Sequence, residues 1–306
     1  MKRLFKLLGP ALFIVILVTV IDFSRLAEVG KSLRPEMVFL AVLLFFPLML
    51  IQTFRWWIVC RQLNMAVSFS TLFEIYYLSW FLGSLPLSGA SAASKALYLK
   101  SEGIALDRSA ASVVIDKVLD LFGIMGFALF GLMYLPHRYL ENLLSGWLYI
   151  AVGAIFVLAA LKTPLVKHAW DRTSRVFVRR LGHMAPDLAT GVSDFRQNTG
   201  PGTIIAHLLL ILGIGLLRGM ILYVLALSLG LNVSFWLMVA SRSLVGLVNI
   251  VPVSISGLGT RDAVLLLILP LWGITSEAAV ALGFLAFLWT VFTKLTGVVF
   301  WIKRYH

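Results

Sequence analysis

The chain has 306 residues, 60% of them hydrophobic and 13% charged, with a mean hydropathy of +0.96. That balance excludes an ordinary water-soluble domain and predicts an all-α polytopic membrane protein, with a single transmembrane domain over 1–306. The formal net charge of +12 sits in loops beside hydrophobic stretches, so it argues for membrane topology and anionic headgroups, not for nucleic acid.

Apolar runs long enough for a hydrocarbon core of roughly 30 Å fall at 4–21, 37–59, 109–135, 143–161, 204–229 and 278–302. These are the six expected full spans. The first follows Lys2 and Arg3 as a signal peptide would, but no small-residue cleavage site comes after it, and it reads as a retained helix. Arg55 lies toward the end of the second span and reads as a topology anchor. The one cysteine, Cys60, excludes an internal disulfide. The five histidines are scattered without metal-ligand spacing, so neither a metal nor a cofactor is expected.

Segment 69–99 carries the stretch GSLPLSGASAASK, with Pro86 and a run of small polar residues before Lys95. A helix interrupted this way suits a re-entrant hairpin better than a span. The next span opens with VVIDKVLDLFG, in which Asp116 and Asp120 are one turn apart and Lys117 is three before Asp120, so one face can carry a compact charge cluster. Local ion pairing and a functional role both remain open for it.

The connection 162–201 is rich in Lys and Arg and is therefore cytoplasmic by the positive-inside rule; its stretch 165–183 reads as a basic amphipathic helix on the inner leaflet. Counting outward from this loop places both termini in the cytoplasm, the ends of 69–99 in the cytoplasm, and the ends of 235–272 outside. Arg218 stands near the centre of its span, too deep for easy snorkelling, where anion contact and a structural ion pair are equal alternatives. Trp56, Trp57, Trp147, Trp272 and Trp301, near span ends, read as an interfacial belt.

Segment 235–272 contains Arg242 and then NIVPVSISGLGTRD, from Asn249 to Asp262. Val67-Ser68-Phe69 recurs as Val233-Ser234-Phe235, Pro86 as Pro252 and Lys95 as Arg261, each 166 residues later. The spacing predicts two repeats of opposite orientation: 1–135 with a re-entrant hairpin at 69–99, then a connecting span and basic loop at 136–203, then 204–306 with a hairpin at 235–272. The alternative is that both broken segments are proline-kinked spans, giving eight crossings and the same location for the termini. Inverted repeats with broken helices are the layout of secondary transporters.

An unwound helix in a membrane leaves backbone groups that only protein, water or ligand can satisfy. The candidate binding residues therefore cluster at the breaks. Gly257 and Gly259 allow a tight loop, Ser254 adds a hydroxyl, and Arg261 opens a helix whose N-terminal amides also favour an anion. Asp262 can close that helix end, pair with Arg261 or Arg242, or carry a proton.

The pattern NxxPxSxxGLGxRD, in Asn249, Pro252, Ser254, Gly257, Leu258, Gly259, Arg261 and Asp262, resembles the signature of the lysylphosphatidylglycerol synthase/flippase transmembrane family, also known as a flippase-like uncharacterised membrane family. FLGSLP and VVIDKVLDLFG resemble its first-half motifs. The resemblance implies movement of polar lipids between leaflets, whether aminoacylated phospholipids, polyprenyl-linked sugars, hopanoids or other lipids. It implies an inner (plasma) membrane location and membrane lipids as partners, with a lipid-synthesis enzyme or glycosyltransferase as a protein partner. No synthase domain accompanies the motif here, so synthesis of the lipid is not expected; the alternative function is a lipid-modifying membrane enzyme or an accessory to a glycosyltransferase. Against catalysis, the breaks hold no His-acid pair, activated nucleophile or metal set. The sequence departs from the family pattern at Asp262, where Glu is common, at Lys117, where Arg is common, and after Pro86, where Ser91 and Ala92 stand in place of an acid.

Overall fold

The amino-terminal part of the described chain forms α1 (Pro35–Leu43) and α2 (Phe45–Gln62). Pro47 has no N–H to give the Leu43 carbonyl, and the helix breaks at Leu44 one turn earlier. The computed structural model describes residues 31–83, 90–134, 186–249 and 259–305. The helices that follow are α3 (Phe69–Leu82), α4 (Ala90–Ser101), α5 (Leu106–Tyr134), α6 (Pro186–Gln197), α7 (Pro201–Ser228) and α8 (Phe235–Val248). Then come α9 (Thr260–Ile268), a 3-10 turn (Leu269–Trp272), α10 (Ser276–Leu295) and α11 (Gly297–Tyr305). Among the described residues, all of this regular structure is helical.

Three segments are long and apolar enough to cross a membrane: Pro35–Gln62, Pro201–Ser228 and Ser276–Lys303. They coincide with the runs expected at 37–59, 204–229 and 278–302. The run at 109–135 is α5, whose 29 residues extend about 43 Å at 1.5 Å per residue. Large apolar side chains such as Leu209 and Phe39, both 63% exposed, have a natural solvent in acyl chains. The expected spans at 4–21 and 143–161, the stretch 165–183, Trp147 and the two hairpin tips lie outside the described residues.

Helix bounds repeat at the offset seen in the sequence. Pro35–Gln62 and Pro201–Ser228 differ by 166 at both ends, as do α3 and α8. Local chemistry explains the match. Pro35 and Pro201 occupy the start of a helix, where a missing N–H costs nothing. Ser68 Oγ accepts from the Thr71 N–H at 3.1 Å and Ser234 Oγ from the Leu237 N–H at 3.1 Å, each satisfying an orphan donor of the first turn.

The helices α3 and α4 pack on each other, as do α8 and α9. With 14 residues each, α3 and α8 extend only about 21 Å, short of a full hydrocarbon core. Buried apolar side chains gather in two clusters. One joins α2 through α5 around Met49, Trp56 and Leu72, and the other joins α7 through α10 around Leu225, Met238 and Leu265. Part of the connection 162–201 is ordered as α6, which packs on α5 and α2. There Gln62 Nε2 donates to Thr199 Oγ1 at 2.8 Å, and Asn198 Nδ2 donates to the Gln62 carbonyl at 2.7 Å.

Two sequence expectations need correction. Trp56 is fully buried, with its indole N–H on Ser112 Oγ at 3.3 Å, so it belongs to the core and not to an interfacial belt. Trp272 and Trp301, both 42% exposed, remain at the surface. Arg55 is only 1% exposed and anchors nothing at an interface; its partners lie inside the bundle.

Candidate functional site

Two carboxylates on one face of α5 hold cations from three other helices. Arg55, from α2, donates to Asp116 Oδ1 from Nε at 3.1 Å and from Nη2 at 2.9 Å, and to the Asp116 carbonyl at 3.3 Å. Lys95, from α4, places Nζ 3.3 Å from Asp116 Oδ2. Its ammonium also lies 3.5 Å from the Tyr76 ring centroid and 4.7 Å from that of Trp56, a cation–π box. Tyr76 is fixed in turn by donating its hydroxyl to Gln52 Oε1 at 2.8 Å.

One turn further along α5, Asp120 Oδ1 lies 3.0 Å from Arg218 Nη2 on α7 and 3.7 Å from Arg55 Nη1. The 3.6-residue period puts Asp116 and Asp120 on a shared face and turns Lys117 away, and Lys117 is exposed. The charge cluster expected on this face therefore contains both acids but not Lys117. Burying such charges is costly unless each is paired, and removing one partner of a buried pair costs about 3–5 kcal/mol.

Beside this ladder lie two cavities that adjoin at Arg218 and Arg242, which line both. The first also takes in Arg55, Asp120, Phe127 and Ser243. The second is bounded by Arg218, Arg242, Arg261, Asn249, Trp289 and Thr290, with Ile221, Leu222 and Leu225 as an apolar wall. Among the described residues, three guanidiniums and no Asp or Glu line this second cavity. Among the described residues Arg242 is half-buried and has no hydrogen-bond or ion-pair partner. Among the described residues, Asp116 and Asp120 pair with Arg55, Lys95 and Arg218.

The second cavity owes its shape to the start of α9. Gly259 adopts φ +83°, a left-handed backbone that glycine takes without steric cost. Its N–H donates to Asp262 Oδ2 at 2.8 Å, so Asp262 closes the helix end, one of the three roles its position allows. Asp262 is 1% exposed and its Oδ1 has no hydrogen-bond partner among the described residues. That oxygen packs so tightly on Gly283 that a Cβ there would collide with it. Thr260 donates its hydroxyl to Asn249 Oδ1 at 2.9 Å, tying the end of α8 to the start of α9, while Arg261 Nη1 donates to the Gly283 carbonyl at 3.4 Å.

The structure thus gathers Arg218, Arg242, Arg261 and Asn249 around one cavity, and Lys95, Asp116 and Asp120 into the adjoining ladder. Arg218 fulfils both of its alternatives at once, ion-paired to Asp120 and lining the cavity. Pro86, Pro252, Ser254 and Gly257 lie outside the described residues. Two further charges have local partners: Lys294 Nζ donates to the Gly83 carbonyl at 3.1 Å, and Glu74 accepts from Lys303 at 2.7 Å on the surface. Arg55 was missed. Its place seven residues before the end of α2 sets it about 10 Å inside that end, and two nearby acids in α5 required buried cations.

The profile of the lysylphosphatidylglycerol synthase TM region family matches residues 6–297. The chain belongs to this family. The UPF0104 membrane protein of Methanocaldococcus jannaschii is 25% identical over 303 residues, covering 93% of this chain and 89% of that protein. No solved structure matches the chain. Membership of the lysylphosphatidylglycerol synthase TM region family agrees with the apolar helices in making this an integral membrane protein.

Proposed function

We propose that the chain is a lipid translocase that moves a polar or anionic lipid between membrane leaflets. The observation that carries this reading is the second cavity, where three arginines and, among the described residues, no carboxylate line one space. Charge placed inside a membrane is expensive and marks a substrate path by default, and arginine binds phosphate through a planar fork of donors. The apolar wall beside the arginines gives the hydrocarbon part of a lipid a surface of its own kind.

In this proposal α3–α4 and α8–α9 are re-entrant hairpins, the first entering from the cytoplasm and the second from outside. Helix lengths near 21 Å and the shared 166-residue offset support it. The two hairpins bring Lys95 and Arg261 toward the middle of an inverted repeat, and access alternates between leaflets around them. The protein then resides in the cytoplasmic membrane with both termini inside.

Reconstitution tests the proposal. Purified protein in liposomes with labelled lipids in one leaflet should speed the loss of asymmetry above protein-free vesicles. Conversion of the lipid to a new species without movement would overturn it in favour of a lipid-modifying enzyme.

A further inference from the structure

Gln52 and Arg218 each stand 17 residues after the first residue of their spans, Pro35–Gln62 and Pro201–Ser228, and Tyr76 and Arg242 each stand 7 after the first residue of α3 and α8. The two pairs therefore hold corresponding places, 166 residues apart. In the first pair the fit is complete: Tyr76 donates its hydroxyl to Gln52 Oε1 at 2.8 Å, and both residues are buried. In the second pair both partners are guanidiniums, which donate and do not accept, so no direct hydrogen bond can join them. Arg242 feels the charge of Arg218 and lines the same two cavities with it.

Arg218 has Asp120 at 3.0 Å. Arg242, half-buried, has no hydrogen-bond or ion-pair partner among the described residues, and a guanidinium inside a membrane without an acceptor is costly. Four residues further along α8 stands Gly246, where an added Cβ would come 3.5 Å from Arg242 Nη1; the corresponding place in α3 holds Trp80. Space is thus left open beside a set of unmet donors. Arg261 donates to the Gly283 carbonyl and feels the charge of Asp262, and Lys294 donates to the Gly83 carbonyl, so neither is needed to hold a ligand at Arg242.

We propose that an oxyanion bridges Arg218 and Arg242, accepting from both guanidiniums where Gln52 and Tyr76 meet directly, with Arg242 as its principal binding residue. The ligand must carry two or more acceptor oxygens on one centre, which a phosphate group supplies and a neutral glyceride lacks. Asp120 keeps Arg55 within 3.7 Å when Arg218 turns to the ligand. The lipid as carrier of the phosphate rests on the translocase reading; the bridge between two donor-only side chains does not.

The test measures binding by the full-length protein in a non-ionic maltoside detergent, using dioleoyl phosphatidylglycerol as the anionic probe and dioleoylglycerol, with the same chains and no phosphate, as its control. Phosphatidylglycerol should bind and raise the unfolding temperature, and dioleoylglycerol should do neither to a comparable degree. Arg242→Gln, which leaves Arg218 with Asp120, should weaken phosphatidylglycerol binding by about tenfold or more. The double variant Arg218→Gln, Arg242→Tyr copies the first pair and can close its own hydrogen bond; it should fold, and its unfolding temperature should no longer respond to the lipid. Equal binding of the two lipids by the wild type, or undiminished phosphatidylglycerol binding in a folded Arg242→Gln protein, would overturn the bridge. So would variants that unfold at lower temperature but keep the full response to lipid, the mark of a purely structural role.

Inorganic phosphate separates the two sources of the group. Failure of millimolar phosphate to displace phosphatidylglycerol assigns the lipid-borne phosphate, the expected result, while full displacement assigns phosphate itself with the bridge intact. Leaflet exchange measured on the same preparations separates this inference from the broader reading. Binding through the arginine pair without lipid movement retains the bridge and removes the translocase, and lipid movement with undiminished binding in the folded double variant does the reverse.

Discussion

Arg218 Nη2 lies 3.0 Å from Asp120 Oδ1, joining α7 to the middle of α5, and the same guanidinium lines both cavities. A phosphate that reaches Arg218 therefore competes with Asp120 for its donors. Asp120 has a second guanidinium within reach, Arg55 at 3.7 Å, so releasing Arg218 does not strand the carboxylate. The ladder on α5 and the cavity are in this way one electrostatic unit.

The ladder should be a principal source of stability for the first half of the fold. Asp116→Asn leaves Arg55 and Lys95 buried without their shared carboxylate, a loss expected near 3–5 kcal/mol. Lys117→Ala, one residue away and exposed, should change stability by less than about 0.5 kcal/mol. Unfolding of the two variants in detergent checks the contrast, and equal melting temperatures would remove the ladder's structural role.

Asp262 and Gly283 should behave as one packed unit. Gly283→Ala forces a methyl group against Asp262 Oδ1 and should cost about 1–3 kcal/mol by overpacking. Asp262→Ala, which loses the bond to the Gly259 N–H, should cost about 0.5–2 kcal/mol. The double variant relieves the collision, so its loss should fall short of the sum. Simple additivity in a double-mutant cycle would show that the contact carries no energy. Asp262→Asn retains an acceptor for Gly259 and should leave any response to a proton gradient unchanged.

Much of the local architecture was legible because its causes are local. Proline at 35 and 201 and serine at 68 and 234 act through their own backbone neighbourhood, and the helix bounds they set recur at the offset of 166. The faces of helices were less legible. Lys117 and Asp116 differ by one step of rotation, and only the packing of α5 against α2 and α7 decides which points inward. Trp56 and Arg55 were assigned to an interface because tryptophan and arginine near a span end usually belong there; their burial depends on Ser112 and Asp116, 56 and 61 positions away respectively. The role of Arg242 depends on the convergence of α7, α8 and α9, which no single stretch encodes.

The opposite entry of the two hairpins has a direct chemical readout. In a Cys60→Ser background, Ser88→Cys and Ser256→Cys should react with an impermeant thiol reagent from the cytoplasmic and external sides respectively. Labelling of both from one side would contradict the inverted arrangement and favour proline-kinked spans.

The most direct test of the account is leaflet exchange in liposomes by Arg261→Ala and Arg261→Lys beside the wild type, with unfolding temperature and headgroup-dependent binding measured on each preparation. Arg261 lines the second cavity at the start of α9, where side-chain charge and helix N-terminal amides both favour an anion. The account predicts that Arg261→Ala folds but loses most exchange, and that Arg261→Lys recovers only part because it lacks the planar fork. A folded Arg261→Ala protein with wild-type binding and exchange would contradict it.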